Sequence, residues 1–93
     1  MTEQTSHRLD EVPRRALGTR IRLVRGDYWI GAEGDALHLT GPAHTIFASL
    51  DGRHSVASVI QILVAEYDVD PEEATADVLE FLDDLTGRGV VEW

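Results

Sequence analysis

The first half of the chain alternates apolar and polar side chains, and this alternation predicts short β-strands. In the segment 19–25, apolar residues at every second position separate arginines, which is typical of a half-buried strand. The aromatic and β-branched run 28–30 predicts a second strand, and the run 36–39 predicts a third. Turn dipeptides at 26–27 and 34–35 separate the three runs. Because these connections are short, we expect an antiparallel meander.

After residue 40 the apolar positions recur three and four residues apart, which predicts three helices. Thr40, Ser55 and Asp70 each stand where a side chain can cap a first turn. We expect the first helix to end at 51–52, the second near Tyr67 and the third at Gly87 or Gly89, followed by an extended tail at 90–91. The buried stripe predicted for the third helix is Ala74, Val78, Phe81, Leu82 and Leu85. Its apolar arc is wide, because Thr75, Leu79, Leu82 and Thr86 extend it to one side.

Three strands followed by three helices predict an α+β fold that resembles a winged helix-turn-helix, with a three-stranded antiparallel sheet. A chain of 93 residues has room for one modest core. The polar, aperiodic segment 1–12 predicts a flexible N-terminal arm, and 13–93 is then the single domain.

The composition excludes several classes of site. The chain has no cysteine, so disulfides, thiolate zinc sites and cysteine nucleophiles are excluded. The sequence has no apolar run near the roughly 20 residues that span a bilayer, and its N-terminus lacks the pattern of a signal peptide. We therefore expect a cytoplasmic protein with no membrane association.

The charge is distributed unevenly along the sequence. The first 50 residues carry six acidic and six basic side chains, whereas residues 51–93 carry eleven acidic and two basic ones. An acidic second half argues against binding to a phosphate backbone, which requires cationic surface. It suits a partner with some basic residues, or it serves solubility alone.

The sequence shows no constellation that would support catalysis. Its four histidines lie in different predicted elements, and none is paired at helical metal-binding spacing; only His38, on the third predicted strand, is of interest. The serines lack a nucleophile elbow, and the carboxylates at 73, 77, 80 and 84 read as a solvated helix face. We therefore expect no enzyme activity, no metal and no cofactor.

Binding surface remains as the candidate function. If the third predicted strand lies at a sheet edge, its free backbone groups can pair with an incoming strand. The wide arc of the third helix could then form the wall of a groove beside it. Ordinary core packing is the alternative explanation for Leu79 and Leu82.

The run 39–91 resembles the PqqD-like family, also called RiPP recognition elements. The resemblance rests on the order and spacing of several pieces, none of which is diagnostic alone. These pieces are Leu39-Thr-Gly-Pro-Ala43, Ile46-Phe47, Leu50-Asp51-Gly52, Leu63 to Tyr67, Asp77-Val78, Phe81-Leu82, Leu85 and Gly89. Thr40 stands where many relatives carry asparagine; both residues can cap a helix. More loosely, the similarity covers about 13–92.

The resemblance implies a non-catalytic adaptor that binds the leader segment of a ribosomally made precursor peptide. The leader adds as an antiparallel strand beside the third strand, and its apolar side chains enter the groove against the third helix. Carried onto this sequence, the peptide-binding residues are Ala36, Leu37, His38, Leu39, Thr75, Val78, Leu79, Leu82 and Asp83. The sequence does not decide which flank of the helix faces the groove. The acidic stripe could pair with a basic leader residue.

The resemblance also implies a protein partner. Since the sequence ends at Trp93, we expect a free-standing domain that presents the precursor to a separate enzyme, either a radical SAM enzyme or a leader peptidase as in lasso-peptide assembly. A monomer and a weak homodimer both remain open, because a free edge can pair with its own copy. A winged-helix DNA-binding regulator is the alternative function, although the second predicted helix carries no arginine or lysine.

Overall fold

The computed structural model describes residues 8–31 and 36–93. Within these ranges, five strands and three complete helices follow one another, and Arg8 and Leu9 are also helical. The strands and complete helices are β1 (Arg14–Arg15), β2 (Ile21–Val24), β3 (Asp27–Ile30), β4 (Leu37–Leu39), α1 (Pro42–Ala48), α2 (Val56–Tyr67), α3 (Pro71–Gly87) and β5 (Val91–Glu92). The predicted α+β fold, with a three-stranded antiparallel sheet followed by three helices, is confirmed.

The three predicted strands form one sheet in the order β2-β3-β4, with both pairings antiparallel. A two-residue turn joins β2 to β3, with φ of 55° at Arg25 and 86° at Gly26. Two successive residues with positive φ make a type I′ turn, whose twist matches that of the strands it connects. The turn predicted at 34–35 lies outside the described residues.

Two of the three predicted helix caps are confirmed. Ser55 Oγ accepts from the Ser58 N–H at 3.1 Å, and the Asp70 carboxylate accepts from the Glu72 and Glu73 N–H groups. The prediction for Thr40 is wrong, because Gly41 is the N-cap of α1 and no side chain bonds there. Gly41 has φ of 59°, a conformation that a β-branched residue would adopt only with strain. The first helix also ends earlier than predicted, at Ala48.

A second small sheet was not predicted from the sequence. In it β1 pairs antiparallel with β5, with Arg14 opposite Glu92 and Arg15 opposite Val91. Strands of two residues are too short to show an alternating pattern. The pairing ties the beginning of the folded chain to its end, and the extended tail predicted at 90–91 forms part of it.

The core lies between the three-stranded sheet and the helices. Leu39 of β4 is 2% exposed, and Ile30 of β3 is also buried. The helices contribute the largest share of the buried side chains: Ile46, Phe47, Val56, Val59, Ile60, Leu63, Ala74, Val78, Leu82 and Leu85. Of the buried stripe predicted for the third helix, Ala74, Val78, Leu82 and Leu85 are confirmed in the core, whereas Phe81 is only half-buried.

The segment 8–12 was assigned to the flexible arm, but in the structure it lies against the domain. Leu9 packs on the core, and the Glu11 carbonyl accepts from the Val56 N–H at 2.9 Å. Arg8 donates to Asp83 on α3 at 2.7 Å. The arm predicted for residues 1–7 lies outside the described residues. Within the described ranges, no helix has the length and apolar character to cross a membrane.

Candidate functional site

Strand β4 is an edge of the three-stranded sheet. It pairs with β3 on one side, and no other strand among the described residues pairs with its second side. An edge strand leaves every second residue with its N–H and C=O directed away from the sheet. The position of these outward groups decides whether another chain could pair there.

The pairing of β2 with β3 fixes the direction of the backbone groups on β3. Val24 and Asp27 close the two-residue turn and form a hydrogen-bonded pair, and the Gly31 N–H donates to the Arg20 carbonyl at 2.8 Å. Bonded and non-bonded pairs alternate along an antiparallel ladder, so Trp29 also bonds toward β2. Tyr28 and Ile30 must then direct their backbone groups toward β4.

It follows that His38 carries the free backbone groups of β4. Tyr28 lies opposite Leu39 and Ile30 lies opposite Leu37, so both leucines exchange hydrogen bonds with β3. The N–H and C=O of His38, opposite Trp29, point away from the sheet. An incoming strand can thus bond to His38 without disturbing the existing ladder.

The side chains of β4 alternate between the two faces of the sheet. Leu39 is buried and Leu37 is half-buried on the face toward the helices. His38 lies on the opposite face, where its ring stacks on Trp29 with 4.0 Å between centroids and 2° between planes. His38 Nε2 is 3.0 Å from Asp27 Oδ2. These two contacts hold the His38 side chain on the outer face, away from the free edge.

The residues predicted on α3 fall into two groups. Val78 and Leu82 have no exposed surface and belong to the core. Thr75 and Leu79 are half-buried, and Asp83 is exposed. Only the second group has side-chain surface that another molecule can contact without opening the core.

The flank of α3 that carries Leu79 and Asp83 is engaged by both ends of the described chain. Arg8 bonds to Asp83 and lies over the Trp93 ring, 4.6 Å from its centroid. Trp93 Nε1 in turn donates to Thr86 Oγ1 at 3.0 Å. Much of this flank is therefore in contact with the chain's own residues.

The opposite flank of α3 is open. Half-buried Phe81 lies there among carboxylates, and together they line a shallow cavity of about 430 Å³; the lining residues are Asp77, Glu80, Phe81 and Asp84. Arg88, seven residues after Phe81, continues the same flank. Arg88 lines a second cavity, of about 290 Å³, with Ile30 and Gly31 at the end of β3. The C-terminal end of α3 thus lies beside the end of β3.

Sequence reasoning did not select Phe81 as a site residue, because it assigned Phe81 to the buried stripe. A helical projection puts Phe81 at the margin of the apolar arc, so a partly exposed position was compatible with the pattern. Projection alone cannot show which margin the N-terminal residues cover. Among the described residues, no group of three or more histidines or carboxylates is placed to hold a metal ion.

Comparison with known proteins relates this chain to one family. Residues 18–91 match the family model described as coenzyme PQQ synthesis protein D (PqqD). The chain is 35% identical over 86 residues to the PqqA binding protein of Gluconobacter oxydans, covering 82% of this chain and 90% of that one. It is 34% identical over 92 residues to the bifunctional coenzyme PQQ synthesis protein C/D of Methylorubrum extorquens.

The second of these relatives is much longer than the region it shares. The match covers 97% of this chain but 25% of the C/D protein, so this chain spans about a quarter of that relative's length. By contrast, nearly all of the PqqA binding protein is matched. The shared region is therefore a unit that occurs both within a longer protein and in a protein of about this length.

A solved structure supports the same relationship. It is the solution NMR structure of the PqqD truncation of Methylobacterium extorquens PqqCD, described as a functional and stand-alone RiPP recognition element. The two chains are 32% identical and superpose with a TM-score of 0.70, over 91% of this chain and 93% of the other. With a family model that matches residues 18–91 and relatives above 30% identity, this chain belongs to the PqqD family.

Proposed function

We propose that this chain is a non-catalytic adaptor that binds the leader segment of a ribosomally synthesised precursor peptide by strand addition to β4. The observation that carries this proposal is the free edge of β4, on which the N–H and C=O of His38 point outward. Main-chain bonds to such an edge provide affinity for any extended peptide, and pockets beside it provide selectivity.

The relatives support a peptide as the ligand. One is named for binding PqqA, and the structural neighbour is described as a recognition element for ribosomally synthesised peptides. The matches cover 82% and 91% of this chain. The same role in this chain accounts for an edge strand that the fold leaves uncovered within the described residues.

The wall of the peptide groove is formed by α3, and we assign it to the flank that carries Phe81. The family resemblance implied Thr75, Leu79 and Asp83, but Arg8 and Trp93 already contact that other flank. Phe81 offers half-buried apolar surface on the open flank of the helix. Ala36 to Leu39 supply the edge, while Val78 and Leu82 support the wall from the core.

The charge around Phe81 indicates what kind of leader would fit. Asp77, Glu80 and Asp84 line the same cavity as Phe81 and are exposed, and Asp84 also pairs with Arg88. A leader that presents an apolar side chain to Phe81 and a lysine or arginine beside it would complement this surface. Each exposed ion pair contributes only about 0–1 kcal/mol, so the charges select among leaders more than they hold them.

We further propose that the bound precursor is presented to a separate modifying enzyme in the cytoplasm, with 13–93 as the peptide-binding domain. A PqqD region joined to another synthesis protein in the C/D relative is consistent with such cooperation. A radical SAM enzyme and a leader peptidase are the two classes of partner enzyme that this role would serve.

The proposal is tested by titrating a fluorescent leader peptide, taken from a precursor gene beside this one, into the purified protein. We expect micromolar or tighter binding. His38→Pro should weaken binding at least about tenfold, because proline removes the outward donor and places its ring at the edge. His38→Ala keeps the donor and should bind within about threefold of the wild type.

A matched control lies on the other edge of the same sheet. Leu23 of β2 also has outward backbone groups, since Arg22 and Val24 bond to β3. Leu23→Pro should therefore leave leader binding unchanged while imposing a similar local restriction. Equal losses in His38→Pro and Leu23→Pro, or no binding by the wild type, would overturn the proposal.

A further inference from the structure

The three-stranded sheet has a second free edge, along β2. No strand among the described residues pairs with the outer side of β2. Because Arg20, Arg22 and Val24 bond toward β3, the N–H and C=O groups of Ile21 and Leu23 point outward. This edge lies two strands away from the proposed leader site on β4.

The side chains around β2 are unusual for this acidic protein. Leu23 is 63% exposed and Val24 is 43% exposed, which leaves two large apolar groups in water at the hairpin tip. Within residues 8–31 and 36–93, no carboxylate pairs with Arg20, Arg22 or Arg25. The hairpin therefore combines uncovered apolar surface with three unpaired cations.

Other arginines of the described chain do have partners. Arg8 pairs with Asp83, Arg14 with Glu92 and Arg88 with Asp84. Arg15 donates to the Phe47 carbonyl at 2.8 Å. The unpaired arginines are thus concentrated on one hairpin, whereas Arg53 in the loop before α2 lies apart from it.

Charged residues on an edge strand often serve only to prevent aggregation. That function explains the arginines but not Leu23 and Val24, since exposed apolar groups at an edge favour unwanted association. The arginines do disfavour one occupant, a second copy of this chain. Antiparallel pairing of β2 with itself would bring arginine side chains of two copies together, and like charges on facing strands are destabilising.

We propose that the β2 edge is a second docking edge, which accepts an extended acidic segment of a partner protein. Its carboxylates would face Arg20, Arg22 and Arg25, its apolar side chains would cover Leu23 and Val24, and its backbone would bond to Ile21 and Leu23. If the leader occupies β4 as proposed above, this partner is the modifying enzyme. The sheet then joins the precursor and the enzyme through its opposite edges.

The chemistry of this edge sets the expected strength of binding. Exposed ion pairs contribute about 0–1 kcal/mol each, and main-chain bonds about 0.5–1.5 kcal/mol each. A short isolated strand should therefore bind weakly and lose affinity as salt increases, because salt screens exposed charges.

The test uses two synthetic ten-residue peptides in which valine and threonine alternate with glutamate in one and with lysine in the other. Each is titrated into the ¹⁵N-labelled full-length protein, and amide shifts are followed by NMR. The glutamate peptide should shift the amides of 21–25 at submillimolar to millimolar concentration, and the lysine peptide should bind at least tenfold more weakly. Leu23→Pro should abolish the effect, and Arg22→Glu with Arg25→Glu should reverse the preference.

Three outcomes would overturn the inference: no shifts at millimolar glutamate peptide, equal binding of both peptides, or shifts confined to β4 and α3. Binding of the hairpin to phosphatidylserine vesicles but not to the glutamate peptide would also reject it, in favour of a lipid partner. The leader titration tests the β4 edge separately, through the amides of 36–39 and through the variant His38→Pro. Failure at β2 with intact leader binding would thus reject this inference alone.

Discussion

At the scale of single residues, local hydrogen bonds shift the pKa of the Asp51 carboxylate. The Asp51 carboxylate, in the loop between α1 and α2, is 2.9 Å from His54 Nδ1 and accepts from the Arg53 N–H at 3.0 Å. The hydrogen bond with His54 lowers the pKa of Asp51, and the bond from Arg53 lowers it further. The ionised carboxylate is thus favoured in the folded state.

This pKa shift predicts the effect of one substitution. His54→Ala should raise the pKa of Asp51 toward its ordinary value of about 3.9, although the Arg53 N–H should keep part of the shift. The contribution of Asp51 to stability is present above the ordinary pKa and is lost as the pH falls through the lowered value. The measurement is an NMR titration of the side-chain carboxyl carbon; an unchanged pKa in His54→Ala would show that His54 is not the cause.

Sequence reasoning at this scale succeeded where one side chain decides the geometry. Ser55 and Asp70 are good caps because a short polar side chain reaches back to the first turn, and both are found as predicted. Thr40 failed because Gly41, with a positive φ of 59°, takes the cap position one residue later. The sequence identifies residues that could cap a helix. It does not reveal the backbone φ angle that decides which residue takes the cap position.

At the scale of elements, α3 shows what periodicity can and cannot predict. The apolar arc correctly predicts a helix with one buried stripe, and Ala74, Val78 and Leu85 lie in the core. The arc cannot choose between its two flanks, because contacts from distant parts of the chain decide which flank is covered. Here Arg8, which lies 75 residues from Asp83 in sequence, bonds to Asp83 and covers that flank.

The choice of flank leads to a comparison of two matched variants. Phe81→Ala should weaken leader binding by at least about fivefold, whereas Leu79→Ala should change it by less than about twofold. Both side chains are half-buried, so both variants should lose a similar, modest amount of stability, which chemical denaturation measures. A larger effect of Leu79→Ala on binding would place the groove on the flank that carries Leu79 and Asp83. Leu82→Ala is unsuitable for this test, because Leu82 is in the core and its loss costs about 2–5 kcal/mol of stability.

At the scale of the whole molecule, the order of elements could be predicted because it depends on local periods. The alternation of apolar and polar residues predicted the three strands of one sheet, and apolar residues at helical spacing predicted α1, α2 and α3. The pairing of β1 with β5 could not be predicted, since two-residue strands carry no period and their partners lie at opposite ends of the chain. These terminal contacts also engage one side of α3, so they shape the candidate site as well as closing the fold.

At this scale the candidate site is a surface formed at a sheet edge, and not a pocket of reactive groups. The described chain offers two sheet edges, β4 and β2, and the β2 edge lies among arginines that no described carboxylate pairs with. Strand addition needs only backbone groups in register, so a domain of this size can recognise an extended chain without an enclosed cavity. Selectivity then depends on the side chains beside each edge.

The most direct test is amide hydrogen exchange of the residues on β4, measured by NMR with and without saturating leader peptide. In the free protein, the His38 amide should exchange fast, while the amides of Leu37 and Leu39 should be protected by their bonds to β3. On addition of leader, the His38 amide should become protected by at least about tenfold, with no change at Leu23. A His38 amide that keeps exchanging at its free rate in the saturated complex would contradict strand addition at β4.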